Sequence, residues 1–173
     1  PIHTGDGEDF LIGDVLHFKN PDFDPKQPWW RAENVIFFGD DKFYGVLGSS
    51  VTRCLNLTMS MTGLTEKKAQ ALGYQPVSVT VTKNDKVGYM PNVNNITLKL
   101  IADSETGKLL GAQAVGAGDA DKRINALAAA LLAGMTVDEF YKNDLTYAPP
   151  FSPTIDPLLN AAQILMGKVK PKA

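Results

Sequence analysis

Apolar and polar residues alternate along residues 96–103, and the rest of the prediction is arranged around this stretch. The apolar positions on one face of the extended chain are Ile96, Leu98, Leu100 and Ala102. A period of two is typical of a strand that buries one side. Residues 104–108 then turn the chain, with Gly107 free to take a positive φ, and residues 109–116 return as a second strand.

A helical spacing of three and four follows this hairpin. The apolar positions that carry it are Ile124, Leu127, Ala128, Leu131 and Met135. Gly134 is placed to end the helix, because glycine readily adopts the left-handed conformation found at helix C-termini. A hairpin followed by a covering helix forms a packed unit, and the other segments can be arranged around it.

The segments before this unit carry their own strand and helix signals. Residues 42–63 predict one long strand or two short ones, residues 76–83 an alternating strand, and residues 84–95 a loop. Thr65 predicts the N-cap of a short helix that Gly73 ends.

Two more helices are predicted after residue 135. Thr136 and Glu139 have the spacing of a capping box, and Asp156-Pro157 starts a last helix. The buried face of that helix is predicted to hold Leu158, Ala161, Ala162 and Leu165. The sequence therefore predicts an α+β domain, in which helices on one face cover a mainly antiparallel sheet.

The beginning of the chain differs in composition from the rest. Residues 1–31 hold four prolines and many acidic residues, with weak periodicity. We predict an irregular arm or linker remnant over residues 1–42, with one short strand in residues 10–18 and with Trp29 and Trp30 as anchoring side chains. A folded domain is predicted over residues 43–173.

Composition and charge narrow the class of protein. A formal net charge of −2 over 173 residues gives no reason to expect a nucleic acid or an anionic membrane as a partner. No apolar run reaches membrane-spanning length. The single cysteine, Cys54, excludes an internal disulfide, so we predict a reducing, cytoplasmic setting in which this thiol is buried and structural.

Two weaker motifs suggest other chemistry. Gly116-Ala-Gly118-Asp-Ala-Asp121 follows a strand and opens a helix, but it lacks the third glycine of a dinucleotide fingerprint, and its carboxylates would repel a pyrophosphate. We therefore interpret it as a tight turn and an acid-capped helix. The metal-site hypothesis, which would make the protein a metal-dependent hydrolase, rests on His3, Asp6, Glu8, Asp9, Asp14 and His17, and no known ligand spacing supports it.

Tyr89 and Tyr147 are the candidate functional residues. They lie in VGYMPN and LTYAPPFSP, two proline-marked segments that cannot be regular structure. A phenol on a rigid loop can donate a hydrogen bond to a thiolate or carbonyl. The alternative interpretation is a half-buried tyrosine that bridges core and solvent, which is the commoner case.

From residue 43 onward the chain resembles the C-terminal dimerisation domain of the pyridine nucleotide-disulfide oxidoreductases. The segments that carry the resemblance are, in order, MTGLTEKKAQALGY, VGYMP, LKLIADSETGKLLGAQAVG, DKRINALAAALLAGMTVDEF and LTYAPPFSPTIDP. Within that superfamily the chain is most similar to coenzyme A disulfide reductases and NADH oxidases. The glutathione and lipoamide reductase branch has a His-Pro-Thr motif where this sequence has Tyr147-Ala-Pro-Pro.

The resemblance implies a role for both tyrosines. In coenzyme A disulfide reductases the tyrosines at the positions of Tyr89 and Tyr147 approach the partner subunit's active site and contact the disulfide substrate. The resemblance also implies a homodimer, in which two copies pair across a two-fold axis. FAD and NAD(P)H would be bound by the preceding domains of the parent enzyme.

Those cofactor domains carry two glycine fingerprints and a redox cysteine, which this sequence lacks. We therefore expect the chain alone to bind no cofactor and to transfer no hydride. Thr4-Gly5-Asp6-Gly7 resembles the family's flavin-contacting element, and residues 31–50 resemble the linker into the dimerisation domain. The first hypothesis is a dimerisation and active-site-completing domain, inactive alone, and the alternative is a stand-alone homodimeric binding or scaffold module.

Overall fold

The computed structural model of the chain describes residues 47–170, together with the backbone of three earlier strands, residues 15–19, 32–37 and 43–45. The chain divides into two compact units, Pro1–Val46 and Leu47–Ala173. The predicted limit between an arm over residues 1–42 and a domain over residues 43–173 stays a prediction.

The first unit contains a small antiparallel sheet. Strand β1 (Val15–Lys19) pairs with β2 (Ala32–Phe37), and β2 pairs with β3 (Phe43–Gly45). Strand β1 overlaps the short strand predicted in residues 10–18. Trp29 and Trp30 lie outside the described residues.

The second unit is a five-stranded antiparallel sheet with four helices. In chain order its elements are β4 (Ser50–Cys54), β5 (Leu57–Gly63), α1 (Glu66–Ala71), β6 (Pro76–Asn84), β7 (Asn95–Asp103), β8 (Leu109–Gly116), α2 (Ala120–Leu132), α3 (Val137–Tyr141) and α4 (Pro157–Met166). The strand order is β4-β5-β8-β7-β6. This architecture confirms the predicted α+β class.

The alternating face of β7 forms the centre of the core, as predicted. Its four apolar residues are completely buried, and three of them, Leu98, Leu100 and Ala102, belong to the core cluster that contains the apolar faces of α2 and α4. The predicted face of α4 is also confirmed, since its four residues are at most 1% exposed. Full burial of one leucine side chain contributes about 1.5–3 kcal/mol, so this layer accounts for much of the stability.

The helix boundaries follow the predicted caps. The side chain of Thr65 accepts a hydrogen bond from the backbone of Lys68, and Thr136 forms a capping box with Glu139. The carboxylate of Asp156 accepts from the Leu158 N–H at 2.9 Å and so caps α4. The predicted positive φ angles at helix and hairpin ends are observed at Gly73, Gly107 and Gly134.

Helix α1 packs on the other face of the sheet, at one end, where the prediction placed no helix. Ala69 of α1 is completely buried against Ile101 and Leu110, with Leu64 beside them. Ile101 follows Leu100 in β7, and successive side chains of a strand point to opposite faces. The sheet is therefore covered on one face by α2, α3 and α4 and partly on the other by α1.

Two facing glycines let the chain cross from β5 to α1. Gly63 pairs with Gly111 in the β5–β8 ladder, and Gly63 has a φ of +68°. A Cβ atom at Gly111 would lie 2.1 Å from the Leu64 carbonyl oxygen, which is closer than any real contact. Only glycine at position 111 allows the backbone of Leu64 to pass this close and to donate to the Leu110 carbonyl at 2.8 Å.

The prediction of a buried Cys54 is wrong, because the structure exposes this thiol. Strand β4 forms the edge of the sheet, and all five of its residues are exposed. A strand rich in apolar and β-branched residues looks the same in sequence at an edge as in the centre. The neighbouring strand β5 also exposes Leu57 and Met59 on the outer face of the sheet, opposite α2, α3 and α4.

Acidification is expected to destabilise the domain partly through Asp103, which is 4% exposed. Burial raises the pKa of its carboxyl, but hydrogen bonds from the side chain of Thr106 and from the backbone of Gln75, Thr106 and Glu105 outweigh this, so the pKa is lowered. A carboxyl whose pKa is lower in the folded than in the unfolded chain stabilises the fold above the unfolded value of about 4. That stability is lost as the pH falls through the folded pKa.

Asp103→Asn should therefore lower the free energy of unfolding at neutral pH by about 1–3 kcal/mol. It should also flatten the fall in stability below pH ~4. Urea unfolding at a series of pH values measures both effects, with Asp144→Asn at an exposed position as the control. A variant whose pH profile matches that of the wild type would show that Asp103 does not contribute in this way.

Candidate functional site

Tyr89 lies on the loop that connects β6 with β7. The ends of this loop are joined by two hydrogen bonds, from the Asp85 N–H to the Asn94 carbonyl at 2.8 Å and from the Asn94 N–H to the Asp85 carboxylate at 2.9 Å. Asp85 is buried, whereas the Tyr89 side chain is 77% exposed. The loop thus has a fixed base and presents its phenol to solvent.

Tyr147 lies on the proline-rich segment between α3 and α4. Its side chain is 50% exposed, and its hydroxyl accepts a long hydrogen bond from Thr154 at 3.5 Å. The segment is folded back on itself, since the Ser152 N–H donates to the Ala148 carbonyl at 3.1 Å. The prediction that this segment is irregular is confirmed, and its tyrosine is also presented to solvent.

The structure brings the two tyrosine loops together. The Val87 N–H, two residues before Tyr89, donates to the carbonyl of Pro149, two residues after Tyr147, at 3.3 Å. A cleft of about 490 Å³ runs between the loops. Its lining includes Lys83, Lys86 and Gly88 from one side and Pro153, Thr154 and Ile155 from the other.

A buried arginine, which the sequence analysis did not identify, lies beneath both loops. Arg123 of α2 is 2% exposed. Its guanidinium donates to the Asp85 carbonyl at 2.9 Å and the Asp119 carbonyl at 3.2 Å, and it forms an ion pair with Asp156 at 3.1 Å. The sequence could have indicated the burial of this residue, because position 123 falls on the same helical face as the apolar residues Ile124 and Leu127.

The turn before α2 packs closely against the carboxylate of Asp85. A Cβ atom at Gly118 would lie 2.6 Å from the carboxylate of Asp85, so a buried anion already occupies the space beside the helix N-terminus. The rejection of a dinucleotide site stays a prediction. The interpretation as an acid-capped helix needs a correction, since the side chain of Asp119 makes no capping hydrogen bond and its carbonyl instead accepts from Arg123.

The metal hypothesis falls outside the described part of the chain. Among residues 47–170, no three His, Cys, Asp or Glu side chains are placed to hold a metal ion. The proposed ligands, from His3 to His17, have no described side chains. In the part of the chain that the structure describes, no helix has the length and apolar character to cross a membrane.

Two family models match the chain. The dimerisation domain of pyridine nucleotide-disulphide oxidoreductases matches residues 51–158. Protein-glutamine gamma-glutamyltransferase matches residues 1–89, a match that the sequence analysis did not anticipate. The two overlap over residues 51–89, where the described structure forms β4, β5, α1 and β6 of the five-stranded domain.

Relatives and solved structures agree with the first of these matches. The NAD(P)H sulfur oxidoreductase (CoA-dependent) of Pyrococcus furiosus is 44% identical over 124 residues, which are 72% of this chain and 28% of the relative. The coenzyme A disulfide reductase of Staphylococcus aureus is 30% identical over 154 residues, which are 83% of this chain and 35% of the relative. The structure of an NAD-dependent persulfide reductase from A. fulgidus aligns with a TM-score of 0.72 at 36% identity, covering 75% of this chain and 24% of that one.

These similarities confirm the family resemblance found in the sequence. They also show how much of a relative the chain represents, since it spans about a third or less of each of the three proteins.

Proposed function

Because the chain belongs, over residues 51–158, to the dimerisation-domain family of the pyridine nucleotide-disulphide oxidoreductases, we propose that it completes the active site of such an enzyme. The parent enzyme would be an FAD-dependent NAD(P)H disulfide oxidoreductase of the coenzyme A disulfide reductase or NADH oxidase type. The domain would pair with a second copy, and its own part of the reaction would be carried by Tyr89 and Tyr147. FAD and NAD(P)H would be held by other domains of the parent, so this domain alone would be inactive.

The observation that carries this proposal is the adjacency of the two tyrosine loops. Both phenols are exposed, and the loops that bear them are joined by the hydrogen bond from Val87 to Pro149. Surface loops with rigid bases are common positions for residues that act on a substrate. A tyrosine with only a packing role would be expected to bury most of its ring.

The chemistry that two phenols can supply suits the reduction of a disulfide. When a disulfide is cleaved by a thiolate, one sulfur leaves as a thiolate anion. A phenol hydroxyl beside that sulfur can donate a hydrogen bond, and the bond strengthens as negative charge develops. The flavin, once reduced by NAD(P)H, would supply the two electrons that regenerate the reactive thiol, and the residues of this chain would bind and orient the substrate.

A homodimer accounts for how a domain without cofactors reaches a reactive centre. In a two-fold assembly each copy presents the same surface to the other, so the two tyrosine loops of each copy can serve the partner's site. The exposed apolar residues of the outer sheet face are typical of a surface that associates with another protein. We therefore expect the chain to have twice its monomer mass of 18.7 kDa in solution.

A chimaera tests the proposal. Residues 47–173 would replace the matching segment of the Pyrococcus furiosus sulfur oxidoreductase, to which this domain is 44% identical. We expect a yellow, dimeric protein that oxidises NAD(P)H with a disulfide of coenzyme A, whereas the isolated chain should be dimeric, colourless and inactive. A folded, flavin-containing, dimeric chimaera without activity would rule out active-site completion.

The alternative is a homodimeric binding or scaffold module derived from the same domain. The observation in its favour is that the second unit has its own complete hydrophobic core. This alternative predicts that a binding partner recognises the isolated chain and that the tyrosine hydroxyls have no effect on turnover in the chimaera. An isolated chain that carried flavin would contradict both functions.

A further inference from the structure

The two tyrosine loops share one buried attachment point, the guanidinium of Arg123. Its Nη2 atom donates to the backbone carbonyl of Asp85, where the Tyr89 loop begins, and pairs with the carboxylate of Asp156, where the Tyr147 segment ends. Its Nη1 atom donates to the carbonyl of Asp119, the N-cap residue of α2. One side chain thus ties both loops to the same helix.

The partners of Arg123 are themselves bonded into the loops. The second oxygen of Asp156 caps α4, and the Ser152 hydroxyl donates to the oxygen that faces Arg123, at 3.0 Å. On the other side, the Asp85 carboxylate accepts from Asn94 and so closes the Tyr89 loop at its base. A shift of the guanidinium would therefore be transmitted to both loops through hydrogen bonds.

The electrostatic setting makes this attachment costly to break. Arg123 is 2% exposed, and its Nε atom is buried without a hydrogen-bond partner among the described residues. A buried ion pair contributes little net stability compared with apolar residues of the same size, but the loss of one member leaves a charge uncompensated. An arginine at such a position, with one unpaired N–H, is better explained by what it orients than by the stability it adds.

We propose that Arg123 is a positioning residue, which sets the relative placement of Tyr89 and Tyr147 without touching the substrate. This inference rests on the proposed function, in which both phenols act on one leaving sulfur. Small displacements of groups that must act together reduce turnover, because the reacting geometry has to be held to a fraction of an ångström.

The first test uses the chain as it is and measures no activity. Arg123→Met removes the charge at similar length, and Lys122→Met at the neighbouring exposed position is the matched control. Amide hydrogen exchange should accelerate about tenfold or more at Val87 and Asn94 in Arg123→Met. It should stay unchanged in the centre of β7, at Leu98, and throughout Lys122→Met. Equal acceleration at Leu98 would show a global loss of stability and would overturn the proposal.

The second test measures coupling in the chimaera. Arg123→Met should lower kcat about tenfold with little change in KM. Arg123→Lys keeps the charge but loses the planar set of guanidinium donors, so its kcat should lie between those of Arg123→Met and the wild type. In the background of Tyr89→Phe with Tyr147→Phe, Arg123→Met should have no further effect on kcat. If Arg123→Met fails to fold, Asp156→Asn tests the same ion pair.

The outcomes separate this inference from the proposed function. If the tyrosine variants lower turnover but the effect of Arg123→Met is additive with theirs, Arg123 acts independently and only the inference fails. If the tyrosine variants have no effect at all, the proposed function fails first, and the exchange experiment still decides whether Arg123 holds the loops.

Discussion

Replacement of both Tyr89 and Tyr147 by phenylalanine is expected to lower kcat for disulfide reduction by about 10²–10³-fold in an enzyme that carries this domain. Both side chains are more exposed than core tyrosines, at 77% and 50%, so the loss of two hydroxyls should leave the fold intact. The effect arises in the transition state, where a hydrogen bond to the leaving thiolate is stronger than in the bound substrate. KM should therefore change much less than kcat.

The measurement is steady-state turnover of the chimaera with NAD(P)H and a disulfide of coenzyme A. The matched control is Tyr74→Phe, which removes the hydroxyl of another exposed tyrosine, one that follows α1 and lies away from both loops in the chain. The single variants should each lose part of the rate. Equal turnover of the double variant and the wild type would withdraw the assignment of Tyr89 and Tyr147.

Gly111→Ala should be the most destabilising single-methyl change in the sheet, with a loss of about 3 kcal/mol or more in the free energy of unfolding. The new Cβ atom would lie 2.1 Å from the Leu64 carbonyl oxygen and 2.6 Å from the Leu64 nitrogen. Both atoms are backbone, so neither can move aside by a change of rotamer. The steric clash can be relieved only if β5 and β8 separate at the point where the chain enters α1.

Urea unfolding followed by circular dichroism, at a fixed protein concentration, measures this loss. Gly88→Ala is the control, because its nearest neighbour would be a side-chain nitrogen of Asn84 at 3.6 Å, an ordinary contact. A midpoint for Gly111→Ala that equals the midpoint of the control would mean that the chain from Gly63 to Leu64 can shift without penalty.

Local patterns in the sequence predicted the central elements of the fold well. The period of two in β7 and the three-and-four spacing in α2 both report burial directly, because each follows from the geometry of its element. The caps at Thr65 and Thr136 are equally local, since each is a hydrogen bond across three residues. Such features depend on no distant part of the chain.

The features that the sequence did not predict depend on distant parts of the chain. The exposure of Cys54 follows from the place of β4 at the edge of the sheet, which is a property of strand order. The packing of α1 against Ile101 depends on the glycine pair that lets β5 cross close to β8. Local patterning carries no information on either.

In the candidate site, too, the sequence predicted the local features but not the contacts between distant residues. Nearby prolines indicated that Tyr89 and Tyr147 lie on irregular loops, but the adjacency of the two loops depends on a hydrogen bond between residues 87 and 149. Arg123 was missed because a charged residue in a helix is usually solvated. Its partners Asp85 and Asp156 lie 38 residues before it and 33 residues after it (156 minus 123) in the chain.

The strand order β4-β5-β8-β7-β6 also constrains how the domain can assemble. Strands β6, β7 and β8 are consecutive neighbours, and their connections close short stretches of chain at small entropic cost. Strand β5 must instead pair with β8, although β6 and β7 lie between the two strands in the chain, as the pairing of Thr58 with Gly116 shows. Because loop closure over such a separation is slow, the outer hairpin of β4 and β5 is expected to dock last during folding.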